Sequence, residues 1–347
     1  MKRNILQALS FVIILLVFQG CKSSLQISVL QPAEINLPPH FEKLAVAHRH
    51  KASQENILTS ILDGILSGGV GLLTDKEAGQ SCLGGLKNAL LKTPRYVISE
   101  PAGLDLRGTG TGVFASPLEW QQIESICVKE GADALIVLEV FDTKSALSFK
   151  TVIKKVKNKD GEMVDVPEQV ATLRMNVTSG WRIYDYKNRM IVDEFRGTSF
   201  LDFSGRGTTT QLATAALING RDAVNRAAFN AGNIYGYRIA PQWIQVTREY
   251  YTKGSPSLKR AGRMAKTGDW KGAAEVWEKY SASVDKKISM RSTFNMAIAH
   301  EVKGDLDEAL IWARKCYKDW GNRKALNYSR ILQNRIIARD RVEEQMR

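Results

Sequence analysis

Reactive and metal-binding side chains are scarce in this chain of 347 residues, which has 4 cysteines and 4 histidines. Away from Cys21 the thiols are Cys82, Cys127 and Cys316, an odd set without CxxC spacing, so no disulfide framework can be read. Cys82 and Cys127 fall on apolar faces of predicted helices, where free cysteine behaves as a small buried hydrophobe, and all three read as structural. His48-Arg49-His50 sets two imidazoles near a strand end, but no HxxxH, CxxC or carboxylate cluster supplies a third ligand. A solvated loop and no metal site are expected there, and His40 and His300 stand alone. No serine or cysteine lies in a nucleophile elbow, which leaves triad chemistry unsupported. Gly108-Thr109-Gly110-Thr111-Gly112 lacks GK[ST] and stops too far before Pro117 for a helix N-terminus to meet a phosphate, so it reads as a surface loop. Gly205-Arg206-Gly207-Thr208 reads the same way. Acids are also short, 36 against 49 Lys and Arg, for a net charge of +13. The expectation is a protein without enzymatic activity or cofactor.

What is present begins at the N-terminus. Lys2 and Arg3 precede the apolar run Phe11 to Phe18, which ends at Phe18-Gln19-Gly20-Cys21. The run falls short of the roughly 20 apolar residues needed to cross ~30 Å of hydrocarbon and matches a cleavable signal. Its layout resembles a bacterial lipoprotein signal, with small Gly20 before the cut and Cys21 to carry the diacylglycerol. Phe18 and Gln19 depart from the common lipobox, and Bacteroidota lipoproteins are looser there. The resemblance implies a signal peptide over 1–20 and a mature chain starting at lipidated, palmitate-bearing Cys21. Lys22-Ser23-Ser24 lacks the acids that resemble a surface-export signal. The expected location is therefore the cell envelope, on the inner leaflet of the outer membrane facing the periplasm.

Apolar content of 44% and charged content of 24% are those of a globular chain. About two thirds of the positive excess sits in Tyr251 to Arg347, with 21 Lys and Arg against 12 Asp and Glu. A basic region of this kind attracts anionic lipid, acidic glycan or an acidic protein; nucleic acid is not expected, because the signal takes the chain away from it.

Prolines 32, 38 and 39 mark residues 21–42 as a lipidated tether with a short strand at Leu25 to Leu30. Lys43 to Ala47 reads as a strand. A helix from about Ser53 follows, with Ile57, Leu58, Ile61, Leu62, Ile65 and Leu66 on one stripe. A second runs from about Glu77 to Leu91, before the strand Tyr96 to Ser99. A third starts at Ser116-Pro117-Leu118-Glu119, where Ser116 and Glu119 have capping-box spacing. Asp133 to Phe141 predicts a strand buried on both faces. Phe149 to Val156 and Glu162 to Val166 predict a hairpin with Lys154, Lys155, Lys157 and Lys159 at a solvated tip. The alternation from Ala171 to Tyr184 predicts a strand with one wet face, and Arg189 to Phe195 another. An alanine-rich helix from about Thr210 to Asn230 completes an α/β or α+β domain over 43–250, a mixed sheet with a helical layer.

This order resembles the periplasmic α/β domain of the curli-secretion lipoprotein family and of the N-terminal domain of TolB. Leu30-Gln31-Pro32-Ala33-Glu34-Ile35, the strand Lys43 to Ala47, Tyr237-Arg238-Ile239-Ala240-Pro241-Gln242-Trp243 and Arg248-Glu249-Tyr250-Tyr251 are similar to a Bacteroidota lipoprotein family of unknown function. That resemblance implies an α/β domain joined to tetratricopeptide-like helices.

Residues 251–347 contain the repeat itself. Gly268-Asp269 and Gly304-Asp305 recur at an offset of 36 residues, with Ala261 and Ala297 seven residues before each glycine and Ala273 and Ala309 five after. These are the small, close-packing positions of a tetratricopeptide-like pair. Two units cannot cover their own apolar faces, so the last helix, Lys324 to about Glu344, is expected to cap them. The function expected is a protein-binding or scaffolding module of the envelope, its partner an envelope protein or acidic glycan. The alternative is a structural subunit of a secretion or assembly complex that oligomerises through the α/β domain.

Overall fold

The computed structural model describes residues 22–49, 75–93, 95–102, 104, 106 and 113–347. The signal peptide, Cys21, His50, the helix expected from Ser53 and the loop Gly108 to Gly112 lie outside the described residues. The strands are β1 (Lys22–Gln31), β2 (Lys43–His48), β3 (Val97–Ser99), β4 (Ala134–Lys157), β5 (Met163–Asp185), β6 (Met190–Gly207) and β7 (Gln242–Tyr251). The helices of the first part are α1 (Asp75–Leu90), α2 (Trp120–Glu130), α3 (Thr210–Ala215) and α4 (Gly220–Ile239). Those of the second are α5 (Pro256–Lys266), α6 (Trp270–Ser281), α7 (Lys286–Lys303), α8 (Leu306–Trp320) and α9 (Arg323–Gln345). The described residues divide into an α/β unit, within 33–242 with 345–347, and a helical unit, 22–32 with 243–344.

The α/β unit is a five-stranded mixed sheet in the order β3-β2-β4-β5-β6. β2 runs parallel to β3 and β4, and β4, β5 and β6 are antiparallel in series. One face buries Leu44, Val46, Ile136 and Leu138 against α1 and α4; the other buries Ala45, Ala47, Leu135 and Val137 against Ile123, Ile126 and Cys127 of α2. Helices on both sides explain why β4 is uniformly buried over its first eight residues, Ala134 to Phe141. Helix α1 meets α4 at glycine: a methyl on Gly232 would stand 1.8 Å from the Cys82 carbonyl oxygen, and one on Gly85 1.9 Å from that of Phe229.

Four expectations change here. The strand expected to end at Phe195 is β6, which runs on through Gly205-Arg206-Gly207, a stretch expected as a loop. The strand expected to end at Phe141 and the hairpin strand expected from Phe149 are one strand, β4, and Glu162 to Val166 and Ala171 to Tyr184 are likewise one strand, β5. Pro167 interrupts the sequence pattern without interrupting β5, because it lies beyond the last β6 pair, Gln169 with Gly207, where β5 has a single neighbour. The third helix starts at Trp120 rather than Pro117, and Glu119 stands at its N-cap without a side-chain cap bond. The alanine-rich helix breaks in two: α3 ends at Ala215, and Asn219 opens α4 by accepting a hydrogen bond from the Asp222 amide.

In the helical unit, α5 with α6 and α7 with α8 form two successive hairpins, and α9 follows. Ala261, Ala273, Ala297 and Ala309 are all fully buried. Gly268 and Gly304 adopt φ of 87° and 86° at the two inter-helix turns, a conformation that costs other residues a steric clash. Asp269 then caps α6 by accepting from the Gly272 amide at 2.8 Å. Ala325, Tyr328 and Leu332 of α9 join the same core, as expected for a cap.

The stretch read as a tether holds a ten-residue strand from Lys22 to Gln31, longer than the expected Leu25 to Leu30, and it pairs with β7. The ribbon belongs to the helical unit because its side chains do: Leu25, Tyr250 and Tyr251 pack in the helical core. Tyr250 stacks edge-on against Trp270 and Trp277, with centroids 5.4 and 6.0 Å away. Buried Asn295 of α7 holds the end of β7 from both sides, accepting from the Tyr251 amide and donating to its carbonyl, each at 2.7 Å. By packing, residues 243–250 of β7 group with the helices.

Candidate functional site

The ribbon and the helices enclose a cleft of about 750 Å³ within the helical unit. One wall is β1 from Ser28 to Gln31 with Pro32, and a second is Trp243, Ile244, Val246 and Arg248 of β7. The facing wall is α9, through Ile331, Asn334, Arg335, Ala338, Arg339, Val342 and Glu343, and Gly304 and Leu306 close one end at the start of α8. Positions 331, 335, 338, 342 on a helix share one face. Trp243 is 56% exposed and Ile244 38% exposed, so the apolar surface is presented rather than buried. Ile244, Val246 and Arg248, two residues apart along β7, share one face of the strand and line the cleft together.

Beneath the cleft lies a buried ion cluster. The Glu301 side chain is fully buried and receives Arg248 in bidentate form, Nε at 2.7 Å and one Nη at 2.9 Å. Arg335 and the Tyr328 hydroxyl donate to the same carboxylate. Burial by itself pushes the Glu301 carboxyl up, but the hydrogen bonds and charges of Arg248, Tyr328 and Arg335 outweigh it and hold it below the ordinary value. Burial raises the Tyr328 hydroxyl, reinforced by the Glu301 charge. Two guanidiniums therefore face one ionised carboxylate, and Glu343 adds an acid to the cleft lining. Arg339 at the rim is held by Asp307 at 3.0 Å and by Asp340, both at the surface.

A second charged cluster sits in the α/β unit, at the C-terminal ends of the parallel strands. Between the pairs Leu138 with Trp181 and Val140 with Gly180, β4 carries one extra residue, Glu139. The bulge turns this carboxylate inward, where Arg182 reaches it at 2.9 Å, Arg49 at 3.4 Å and the Tyr184 hydroxyl at 2.5 Å. Arg182 also bonds the Ala115 carbonyl at 2.7 Å, and Arg49 bonds that of Ser116 at 2.6 Å, so the cluster fastens the segment before α2 to the sheet. Burial pushes the Tyr184 hydroxyl up to about 12, with the Glu139 bond reinforcing it. Arg49, expected in a solvated loop, is buried at 8% exposure because it serves this carboxylate. The cluster's partners are protein groups, and it reads as a clasp.

The other candidates stay apart. Cys82, Cys127 and Cys316 are free and buried, and burial raises all three thiols, Cys127 and Cys316 to about 12. Among the described residues no group of three or more His, Cys, Asp or Glu is placed to hold a metal ion. No described helix is long and apolar enough to cross a membrane. The six repeat positions Ala261, Gly268, Ala273, Ala297, Gly304 and Ala309 support the helical fold, and Gly304 alone among them also lines the cleft. Of the cleft residues, Trp243 and Arg248 stand in the sequence only as part of the segments that carry the family resemblance, and no sequence signal marks Arg335 or Arg339.

Residues 42–251 match the model of a domain of unknown function, DUF8603. The chain belongs to the DUF8603 family. Residues 259–334, which span α5 to the middle of α9, match a second domain of unknown function, DUF6340. No curated protein matches the chain. Among solved structures, the PelC dodecamer from Paraburkholderia phytofirmans is 12% identical over 63% of this chain and 98% of its own, with a TM-score of 0.23. A putative neuraminyllactose-binding hemagglutinin homolog from Helicobacter pylori is 10% identical over 60% of this chain and 87% of its own, with a TM-score of 0.24. Likenesses at this level carry nothing about ligand or assembly.

Proposed function

We propose that this DUF8603 chain is a lipid-anchored, non-enzymatic protein of the cell envelope that holds a partner protein in the cleft of its helical unit. The observation that carries the reading is the cleft itself: an apolar trough of about 750 Å³ with exposed Trp243 on one wall and three arginines against one glutamate in its lining. Its groups are hydrocarbon surface and ion-paired guanidinium, a set that binds rather than one that attacks or relays protons. The apolar walls favour a protein segment over an acidic glycan, because a glycan has no side chains to cover Ile244, Ile331 and Val342. The charged groups at the cleft, Arg248, Arg335 and Arg339 with Glu301 and Glu343, favour a segment with polar groups next to its apolar residues.

Residues Lys2 to Cys21 support the envelope location, and Lys22-Ser23-Ser24 supports the periplasmic side of the outer membrane. Two variants test the two halves of the reading. Cys21→Ala abolishes acyl labelling of the chain and leaves the signal uncut, read as the added mass of residues 1–20. Trp243→Ala combined with Arg339→Glu keeps the melting temperature, since both side chains are solvent-accessible, and loses the protein that co-purifies from envelope extract. Retention of that protein by the double variant would refute the cleft as the binding site.

A further inference from the structure

The sheet of the α/β unit ends on β6, and no described strand pairs with its outer edge. Folded sheets guard such an edge with proline, lysine, a bulge or extreme shortness, because a row of unpaired N–H and C=O groups recruits other strands. The opposite edge is guarded in this way, since β3 has 3 residues. β6 has 18, and from Glu194 to Ser204 it carries neither proline nor lysine. Its register shift against β5 falls earlier, at the pairs of Ile183 and Tyr184.

The solvent-facing side chains of this stretch are Glu194, Arg196, Thr198, Phe200, Asp202, Ser204 and Arg206, all exposed. Their order is self-complementary. An antiparallel copy centred on Phe200 sets Phe200 against Phe200, Thr198 against Asp202 and Glu194 against Arg206, the last pair occurring twice by symmetry. Registers displaced to other centres put Arg196 on Arg206, or Glu194 on Asp202, and like charges directly opposite are destabilising. The register centred on Ser199 sets Arg196 on Asp202 but loses the aromatic pair. Since Asp202 is held by Arg174, Glu194 by Arg182 at 2.6 Å and Arg206 by Glu168 at 2.9 Å within the chain, the Phe200 pair and not a charge pair separates the two registers. On the helical side, Leu201 and Phe229 with Asn225, Arg226, Asn230 and Asn233 line a depression of about 490 Å³.

We propose that β6 is a self-association edge, through which two copies of this chain pair antiparallel about a two-fold axis and join their sheets into one. The contact is isologous, so one strand supplies both halves of every interaction. It is independent of the cleft, which lies in the helical unit.

The test uses the full chain with Cys21→Ser, in which the remaining native thiols are buried. Sedimentation velocity is expected to show a concentration-dependent dimer. Directly opposed residues in an antiparallel pair have Cα atoms about 4.5–5.5 Å apart, within disulfide range, so Phe200→Cys forms a disulfide-linked dimer on mild oxidation that reduction dissolves. Phe200→Lys replaces the aromatic pair with facing ammoniums and weakens the dimer by about tenfold or more, with melting unchanged because Phe200 is 58% exposed. Thr198→Lys gives the same reading should Phe200→Lys lower the melting temperature. A chain that stays monomeric at its highest soluble concentration, a Phe200→Cys chain that does not cross-link, or a Phe200→Lys dimer of unchanged strength overturns the proposal.

Discussion

Replacing Glu301 with glutamine removes one charge from the centre of the helical unit and almost nothing of its shape. The carboxylate is buried to 0% side-chain exposure, and the two arginines on it, Arg248 and Arg335, are 11% and 22% exposed. Glutamine retains a carbonyl for one donor but turns an NH2 group toward the other guanidinium, and both positive charges lose their counterion. Breaking a buried pair by removing one partner costs about 3–5 kcal/mol. Arg335 has a route to water, so the lower end, about 3 kcal/mol, is expected here. Urea unfolding followed by tryptophan fluorescence measures it, with amide exchange along α7 to show that the helical unit is the part destabilised. Acid gives a second check. Because the Glu301 carboxyl is lowered from 4.5 in the folded chain, its contribution is complete above that value and is lost as pH falls through the folded pKa. The difference between wild type and Glu301→Gln therefore narrows in acid, and Arg335→Met in the Glu301→Gln background recovers part of the loss. A change below about 0.5 kcal/mol, the size of an ordinary surface substitution, would refute the reasoning.

Ala309→Leu places a larger side chain at a fully buried position of α8 and is expected to cost the helical unit about 1–3 kcal/mol by overpacking; a wild-type melt contradicts it. Gly232→Ala gains about 1 kcal/mol of helix propensity but sets a methyl 1.8 Å from the Cys82 carbonyl. Backbone cannot yield as a side chain does, so a net loss in the α/β unit is expected by thermal denaturation, and a more stable variant would show that α1 and α4 do not meet at this point.

The parts of this fold legible in the sequence are those whose signal sits in a few consecutive residues. The apolar run Asp133 to Phe141 announces a strand covered on both faces, and Gly268-Asp269 and Gly304-Asp305 announce turns because glycine and a capping aspartate are what such turns need. Strand continuity past Phe141 was hidden, since the residues from Asp142 onward leave the helical layer and their exposed side chains stop marking a strand. Pro167 hid the length of β5 for a related reason: its rule forbids central strands and says nothing of a one-sided one. Glu139 stood in plain view inside an apolar run, but its partners Arg182 and Arg49 are 43 and 90 residues distant, and the bulge that turns it inward has no sequence mark. The cleft needs β1 and β7 side by side, as in the bond from Gln245 to Ser28, 217 residues apart. No periodicity carries that pairing.

A partner protein seated in the cleft between the ribbon and α9 is within reach of site-specific photocrosslinking in intact envelopes. A photoreactive residue at Ala338, on the α9 wall of the cleft, is compared with one at exposed Lys315 on α8. Position 338 is expected to give one discrete adduct that disappears when Trp243→Ala and Arg339→Glu are introduced, and position 315 none of that mass. An absence of adduct at 338, or an adduct that survives those two substitutions, would contradict it.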